Sequence, residues 1–362
     1  MQRDLTDSIR ERIAGACAGK TPVSICGGNS KNFYGHPCEG VTIDVSQHSG
    51  VLEYEPSELV IHARAGTALT DIETLLSQHR QMLAFEPPQF SSTGTLGGAV
   101  ASGLAGPGRP FAGSVRDSVL GVGLINGRGD SLNFGGQVMK NVAGYDVSRL
   151  MAGALGTLGL LTDVSLKVLP KPASEYTLRQ ACSQQDAILR FAQWMAKPLP
   201  LSAACWFDDH LHLRLSGTET AVRQAQHQLG DTLLEQATGW STAIRDQHHD
   251  NFQRQTALWR LSVPPATPPL AIPGKLLIDW AGGQRWLSSD ESAESIRRIT
   301  ASVGGHATLF RNGDPSTDVF HPLPAPLFEL HRRLKQALDP DGILNPGRMY
   351  KGLERCRPGV RN

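Results

Sequence analysis

The stretch ICGGNSKNFYG, residues 25–35, sets two adjacent glycines, then Asn, Ser and Lys, directly behind a short apolar run. Pro22 to Cys26 reads as a strand, so Gly27 and Gly28 fall at a strand end, where successive backbone N–H groups can converge on an anion. The pattern is neither G-x-G-x-x-G nor a glycine loop followed by Lys and Ser or Thr, so the dinucleotide fingerprint of the doubly wound fold and the P-loop are both excluded. The next residues, NFYGHPCEG, are too rich in turn formers to open a helix. Taken alone, the loop is either an ordinary turn or a phosphate cradle.

Two further glycine-rich segments lie in the same half of the chain. STGTLGGAVASGLAGPG, from Ser92, offers small side chains and free N–H groups along a length that suits a flat, extended ligand. MAGALGTLGLLTDV, from Met151, spaces Gly153, Gly156 and Gly159 by three, which serves close packing or ligand contact equally well. Three such segments, each expected at a strand end, suit a dinucleotide whose diphosphate needs donors and whose ring needs a slot.

Around them the texture is mixed. Val41-Ile43-Val45 and Leu59 to Arg64 read as strands, and Thr67 as the N-cap of a helix with Leu69, Ile72, Leu75 and Leu76 on one face. Asn126-Gly127 between two apolar runs signals a hairpin, and Val164, Leu166 and Val168 alternate in a closing strand. From about residue 173 the glycines thin. Ala187 to Met195 is helical in period, Cys205 to Leu215 is a hairpin turning at Asp208-Asp209, and a second set runs from Leu258 through a helix at Ser292 to Ser302. VPPATPPLAIPG, residues 263–274, is a connector within this part. At the end, Leu327, Leu330, Leu334 and Leu338 mark a helix stopped by Asp339-Pro340-Asp341-Gly342.

Composition bounds the function. The 362 residues and 40% apolar content suit about two domains, and 35 basic against 34 acidic residues leave no field for a nucleic acid. Cysteines at 17, 26, 38, 182, 205 and 356 form no C-x-x-C, so zinc-ribbon and iron–sulfur spacings are missing and a reducing cytoplasm fits. The N-terminus has the Leu5, Ile9, Ile13 spacing of an amphipathic helix and not the core of a signal peptide. The uncharged run from Pro87 to Gly108 is too full of Gly, Ser, Thr and Pro to span a membrane.

Four segments carry a resemblance: PVSICGGNSKNFYG, PPQFSSTGTLGGAVASGLAGPGRPFAGSVRD, MKNVAGYDVSRLMAGALGTLG and LDPDGILNPGRMY. Together they resemble the FAD-binding fold of the p-cresol methylhydroxylase and vanillyl-alcohol oxidase type. Over essentially its whole length the chain is similar to the FAD-binding subunits of bacterial glycolate oxidases, MKNVAGYD and GPGRPFAGSVRD being the specific parts. The resemblance implies an α+β protein with a two-subdomain FAD-binding part over residues 1–172, a smaller α+β cap over 173–325, and a C-terminal helix and NPG turn over 326–362 that returns to the flavin. It assigns Gly27, Gly28, Asn29 and Ser30 to the diphosphate loop. Thr93, Thr95, Gly97, Gly98 and Ser102 go beside the diphosphate and flavin, Gly156, Thr157 and Gly159 near the adenosine or ribityl portion, and Asn345 near the ring. Some relatives attach flavin through a histidine in the diphosphate loop, but here that loop reads Gly-Gly-Asn-Ser and His36 lies downstream, so non-covalent FAD is expected.

Oxidising a 2-hydroxy acid requires a cation for the carboxylate and a group to take the hydroxyl proton. Arg109, Arg116, Arg149 and Arg348 lie in or beside the flavin motifs, and His306 in GGHATLFR is a candidate base; each also has a plain surface or structural reading. Related 2-hydroxy-acid oxidising flavoenzymes carry a His-x-Gly-Asp-Gly-Asn-x-His run for a divalent metal. It is missing here, and the adjacent His248-His249 would point apart. The resemblance therefore implies an accessory flavin subunit, with no metal, beside a catalytic FAD subunit and an iron–sulfur subunit that together oxidise glycolate. Its place is cytoplasmic, with the inner membrane face reached through partners. An autonomous FAD-dependent 2-hydroxy-acid dehydrogenase and a scaffold that has lost flavin stay open.

Overall fold

The computed structural model describes residues 3–136, 146–229, 235–236 and 239–354; of the MKNVAGYD run only Asp146 falls among them, and Cys356 falls outside. The helix Thr6–Gly19 buries Ile9 and Ile13, the positions its spacing selects. These pack on a parallel pair, Val23–Cys26 with Val41–Asp44, in which Val23 faces Val41. The far end of the chain completes this lobe. Leu344 bridges Val23 in parallel, and Ile343 and Leu344 share a core with Ile9, Ile13, Val23 and Ile43.

The second lobe is a five-stranded antiparallel sheet in the order Val51–Glu55, Val60–Arg64, Leu160–Lys167, Val119–Ile125, Ser131–Gly135. The last two strands form the hairpin signalled by Asn126-Gly127, whose Asn126 side chain accepts from the N–H groups of Arg128 (2.9 Å) and Asp130 (3.0 Å). The helices Leu69–Gln78 and Leu96–Ser102 pack on the sheet through Leu69, Ile72, Leu76 and Leu96. Thr67 does not cap the first of them. Its hydroxyl donates to the carbonyl of Arg64 (2.7 Å) and accepts from Gly50 N–H (2.9 Å), tying two strand connections together, while Ala68 takes the cap position without a side-chain bond.

The two sets of elements after residue 173 merge into one eight-stranded antiparallel sheet. Its order is Glu235–Gln236, Ser174–Ala181, His210–Gly217, Leu201–Phe207, Lys275–Asp279, Gln284–Ser288, Leu258–Ser262, His306–Arg311. Asp208 and Asp209 both take left-handed φ (49° and 57°), the conformation a two-residue hairpin requires. The Pro-rich connector runs between Leu258–Ser262 and Lys275–Asp279, held by the fully buried Arg285, which donates to the carbonyls of Thr267 and Pro268. Polar staples fix this cap on the rest. Glu86 accepts from Arg214 and from Gly108 N–H, Asp246 accepts from Gln89 N–H (2.9 Å), and Trp280 donates to the carbonyl of Gly106 (2.9 Å).

The terminal helix, Ala325–Leu338, departs from its leucine pattern. Leu327 and Leu330 are exposed, and the buried residue is Lys335. Its ammonium donates to the carbonyls of Thr157 and Leu344 (both 2.7 Å) and to the Asp339 carboxylate (2.6 Å), which itself accepts from Ile343 and Leu344 N–H. Three acceptors on one ammonium make burial tolerable where leucine periodicity alone would have placed an apolar residue. Lys335→Met should therefore cost about 3–5 kcal/mol in urea unfolding by stranding Asp339. Leu330→Ala on the exposed side of the same helix should change stability by no more than about 0.5 kcal/mol.

Candidate functional site

A groove runs between the two lobes, and its walls are the segments whose glycines stand out in the sequence. One section is lined by Gly27, Gly97, Gly98, Gly156, Gly159 and Asn345; the adjoining section by Gly27 through Asn32, Thr95, Ser102 and Arg348. Gly27 and Gly28 do follow the strand Val23–Cys26. The second segment does not sit at a strand end: it leads into the helix Leu96–Ser102, whose N-cap Thr95 accepts from Gly98 N–H (3.2 Å). The third enters the strand Leu160–Lys167.

Why the walls need glycine is steric. A Cβ on Gly28 would lie 1.4 Å from the carbonyl oxygen of Thr93, one on Gly27 2.7 Å from Thr95 Oγ1, and one on Gly97 2.7 Å from Ala65 Cβ. The left-handed residue in the first loop is Asn29 (φ 56°), so Gly28 is required for contact and not for its backbone angle. Thr93 closes that contact by donating its hydroxyl to the Gly28 carbonyl. Around Asn29, the N–H groups of Gly27 through Lys31 find no acceptor among the described residues, the arrangement of an anion nest.

Asn345 holds the third wall. Its side-chain oxygen accepts from Ile25 N–H and its amide donates to the Leu155 carbonyl, each at 2.7 Å, while its own N–H bonds Val23 O (2.9 Å). A Cβ on Gly156 would meet that amide at 2.7 Å. Asn345 thus spans the groove's floor with both amide atoms committed to protein. Gly159 packs on Leu124, and Thr157 turns away, donating to the Ala154 carbonyl (2.7 Å) and lining a separate cavity with His331 and Lys335.

Of the five candidates Arg109, Arg116, Arg149, Arg348 and His306, only Arg348 lines the groove, donating to Asn32 O (3.2 Å). Arg149 is exposed and paired with Asp146 (3.5 Å), and His306 is exposed at the start of the cap's edge strand, lining no section of the groove. Arg109 lies 4.4 Å over the Trp280 ring, at the cap contact. Among the described residues no group of three or more His, Cys, Asp or Glu is placed to hold a metal ion.

Three further residues to which the sequence assigned no role line the groove or a second cavity: Lys31 in the first, Arg260 and Asp279 in the other. Lys31, next to the Gly-Gly-Asn-Ser loop, has its ammonium shielded from solvent, and burial pulls its pKa down to about 8. Beneath the cap sheet a second cavity is walled by Phe90, Arg260, Asp279, Gln284, Trp286 and Phe310. Asp279 is fully buried there and its carboxyl is pushed up to about 7 by loss of solvent. The only sequence signal was a carboxylate ending the apolar strand KLLID, or a lysine abutting a glycine cradle; neither says what surrounds it.

Glycine walls, unpaired N–H groups and a shielded ammonium fit an extended dinucleotide with a diphosphate at the first loop. Gly28→Val should leave the purified chain without flavin, because the loop and Thr93 cannot both keep their places. Gly15→Ala, in open space on the exposed face of the first helix, should keep the flavin and gain up to about 1 kcal/mol of stability; absorbance and urea unfolding read both.

Residues 4–135 match a family model described as an FAD binding domain, and residues 324–349 one described as the C-terminal domain of FAD linked oxidases. The glycolate oxidase subunit GlcE of Escherichia coli (strain K12) is 49% identical over 350 residues, covering 97% of this chain and 99% of that one. The glycolate oxidase subunit GlcD of Bacillus subtilis (strain 168) is 31% identical over 187 residues, 50% of this chain and 39% of its own. Among solved structures, p-cresol methylhydroxylase with substrate bound superimposes with a TM-score of 0.70 at 13% identity, over 96% of this chain and 88% of that one, which bears out the expected fold. With a full-length relative at that identity, and with FAD as its cofactor, the chain belongs to the family of the glycolate oxidase subunit GlcE.

Proposed function

We propose that the chain is the FAD-carrying subunit of a multi-subunit glycolate oxidase, holding a non-covalent flavin and supporting a catalytic flavoprotein subunit and an iron–sulfur subunit. The observation that carries this reading is the 49% identity with GlcE over 97% of this chain and 99% of that one, together with a groove walled by glycines. Bound flavin would supply two-electron redox chemistry. The chain's own residues hold and orient it: Gly27 to Ser30, with Thr93 behind them, at the diphosphate; Thr95, Gly97, Gly98 and Ser102 along the second wall; Gly156, Gly159 and Asn345 along the third. We assign residues 1–172 to flavin binding, 173–325 to the cap and 326–362 to the returning turn. No helix among the described residues is long and apolar enough to cross a membrane, and we assign any place at the inner membrane face to the partner subunits.

The groove supports an accessory role because its polar lining among the described residues is backbone, amide, hydroxyl, thiol and cation, with no carboxylate or histidine. Asp279 and Arg260 under the cap favour a second reading, a chain that oxidises a 2-hydroxy acid by itself: an arginine for the carboxylate and a carboxyl that titrates near neutrality for the hydroxyl proton.

Denaturing the purified chain should release FAD, not FMN, with no flavin left on the precipitated protein. Anaerobic mixing with glycolate should leave that flavin oxidised, and glycolate oxidation should appear only on co-expression with the two partner subunits. Rapid bleaching by glycolate, lost in Asp279→Asn, would replace the accessory reading with the autonomous one.

A further inference from the structure

We propose that Lys31 is an anion-binding residue whose ammonium takes an anionic oxygen, phosphate or carboxylate, of a ligand in the groove. The proposal rests on the FAD reading and extends it to a residue outside the Gly-Gly-Asn-Ser loop. Lys31 lines the same groove section as Gly27 to Ser30, and its Nζ is shielded from solvent with no hydrogen-bond partner among the described residues. The chain shows what it does with a buried ammonium that belongs to the fold: Lys335 has three oxygen acceptors. Lys31 has an aromatic ring instead, Phe90, at 5.7 Å. A buried ammonium without acceptors is costly, and such a cost persists where a ligand removes it.

The surroundings point the same way. Arg311 lies 4.2 Å from the Phe33 ring and 5.5 Å from the Phe90 ring, and Arg348 lines the groove beside Lys31. Among the described residues none of these three cations has a carboxylate within ion-pair distance. Asp246, whose charge reaches Lys31, is itself taken up by Arg245 (2.7 Å) and by Gln89 N–H. Burial of Lys31 with a pKa near 8 still leaves it mostly protonated at pH 7, so the ammonium is available for an anion. Phe90 also walls the cavity under the cap, which sets Lys31 where the groove meets that cavity, within reach of either a cofactor phosphate or a small carboxylate.

The test uses the full chain, stripped of flavin, as wild type, Lys31→Met and Lys31→Arg. Each is titrated with FAD and with riboflavin, which has no phosphate; the FAD-loaded forms are then titrated with oxalate, followed by the flavin spectrum. Lys31→Met should weaken FAD about ten- to hundredfold, with Lys31→Arg recovering part of it, and the flavin-free Met variant should melt no lower than wild type because an unpaired charge has been removed. A loss for FAD and not for riboflavin identifies a phosphate as the anion; unchanged FAD with oxalate weakened tenfold or more identifies a carboxylate. FAD and oxalate affinities both within twofold of wild type would overturn the proposal. So would a lower melting point with riboflavin weakened as much as FAD, which would make Lys31 structural. A wild-type chain that takes up no FAD would defeat the FAD reading itself, and this proposal with it.

Discussion

The ammonium of Lys335 joins three parts of the chain: the glycine segment at Thr157, the helix end at Asp339 and the returning turn at Leu344. With that charge satisfied, Leu344 can pair beside Val23 and Asn345 can reach both Ile25 and Leu155. The groove's floor is therefore set by a polar knot beside the apolar core that Ile343 and Leu344 share with Ile9, Ile13, Val23 and Ile43. Its energetics are those of a buried ion pair, weak as a net source of stability but severe when half removed. What the pair secures is position: a floor rigid enough for glycine walls to approach a ligand at van der Waals distance.

Local features were legible because local physics fixes them. The turn at Asn126-Gly127, the left-handed pair Asp208-Asp209, the cap of the helix at Ser292 and the extended run before Gly27 each follow from a few neighbouring residues. The glycine segments were legible as a set, although the one at Thr95 opens a helix. What was hidden depends on contacts across long separations. Thr67 looks like a cap until Gly50 and Arg64 claim its hydroxyl, and Leu327 and Leu330 look like a core face until Lys335 is found to have the acceptors. Gly28 is needed for Thr93, which no turn rule at residue 28 could say. Lys31, Arg260 and Asp279 carried no motif, since burial and the absence of a partner are properties of the fold.

The distribution of charge separates two chemistries. The groove offers donors and cations, suited to holding an anion and leaving it unchanged. The cavity beneath the cap joins Arg260 to Asp279, whose buried carboxyl is pushed up to about 7. Glu86, Asp246 and Trp280 hydrogen-bond across the contact between the eight-stranded sheet's part and the rest of the chain.

The bond from Ile25 to Asn345 closes a loop of 320 residues. Contacts of that range form late, because the entropy of closing so long a loop is met before the contact rewards it. On a ribosome the lobe that begins with the first helix must wait, its parallel pair lacking a neighbour, until the last turn has emerged. A chain cut short between Gly159 and Leu344 would carry every glycine of the groove's walls and lack Asn345, which spans the floor.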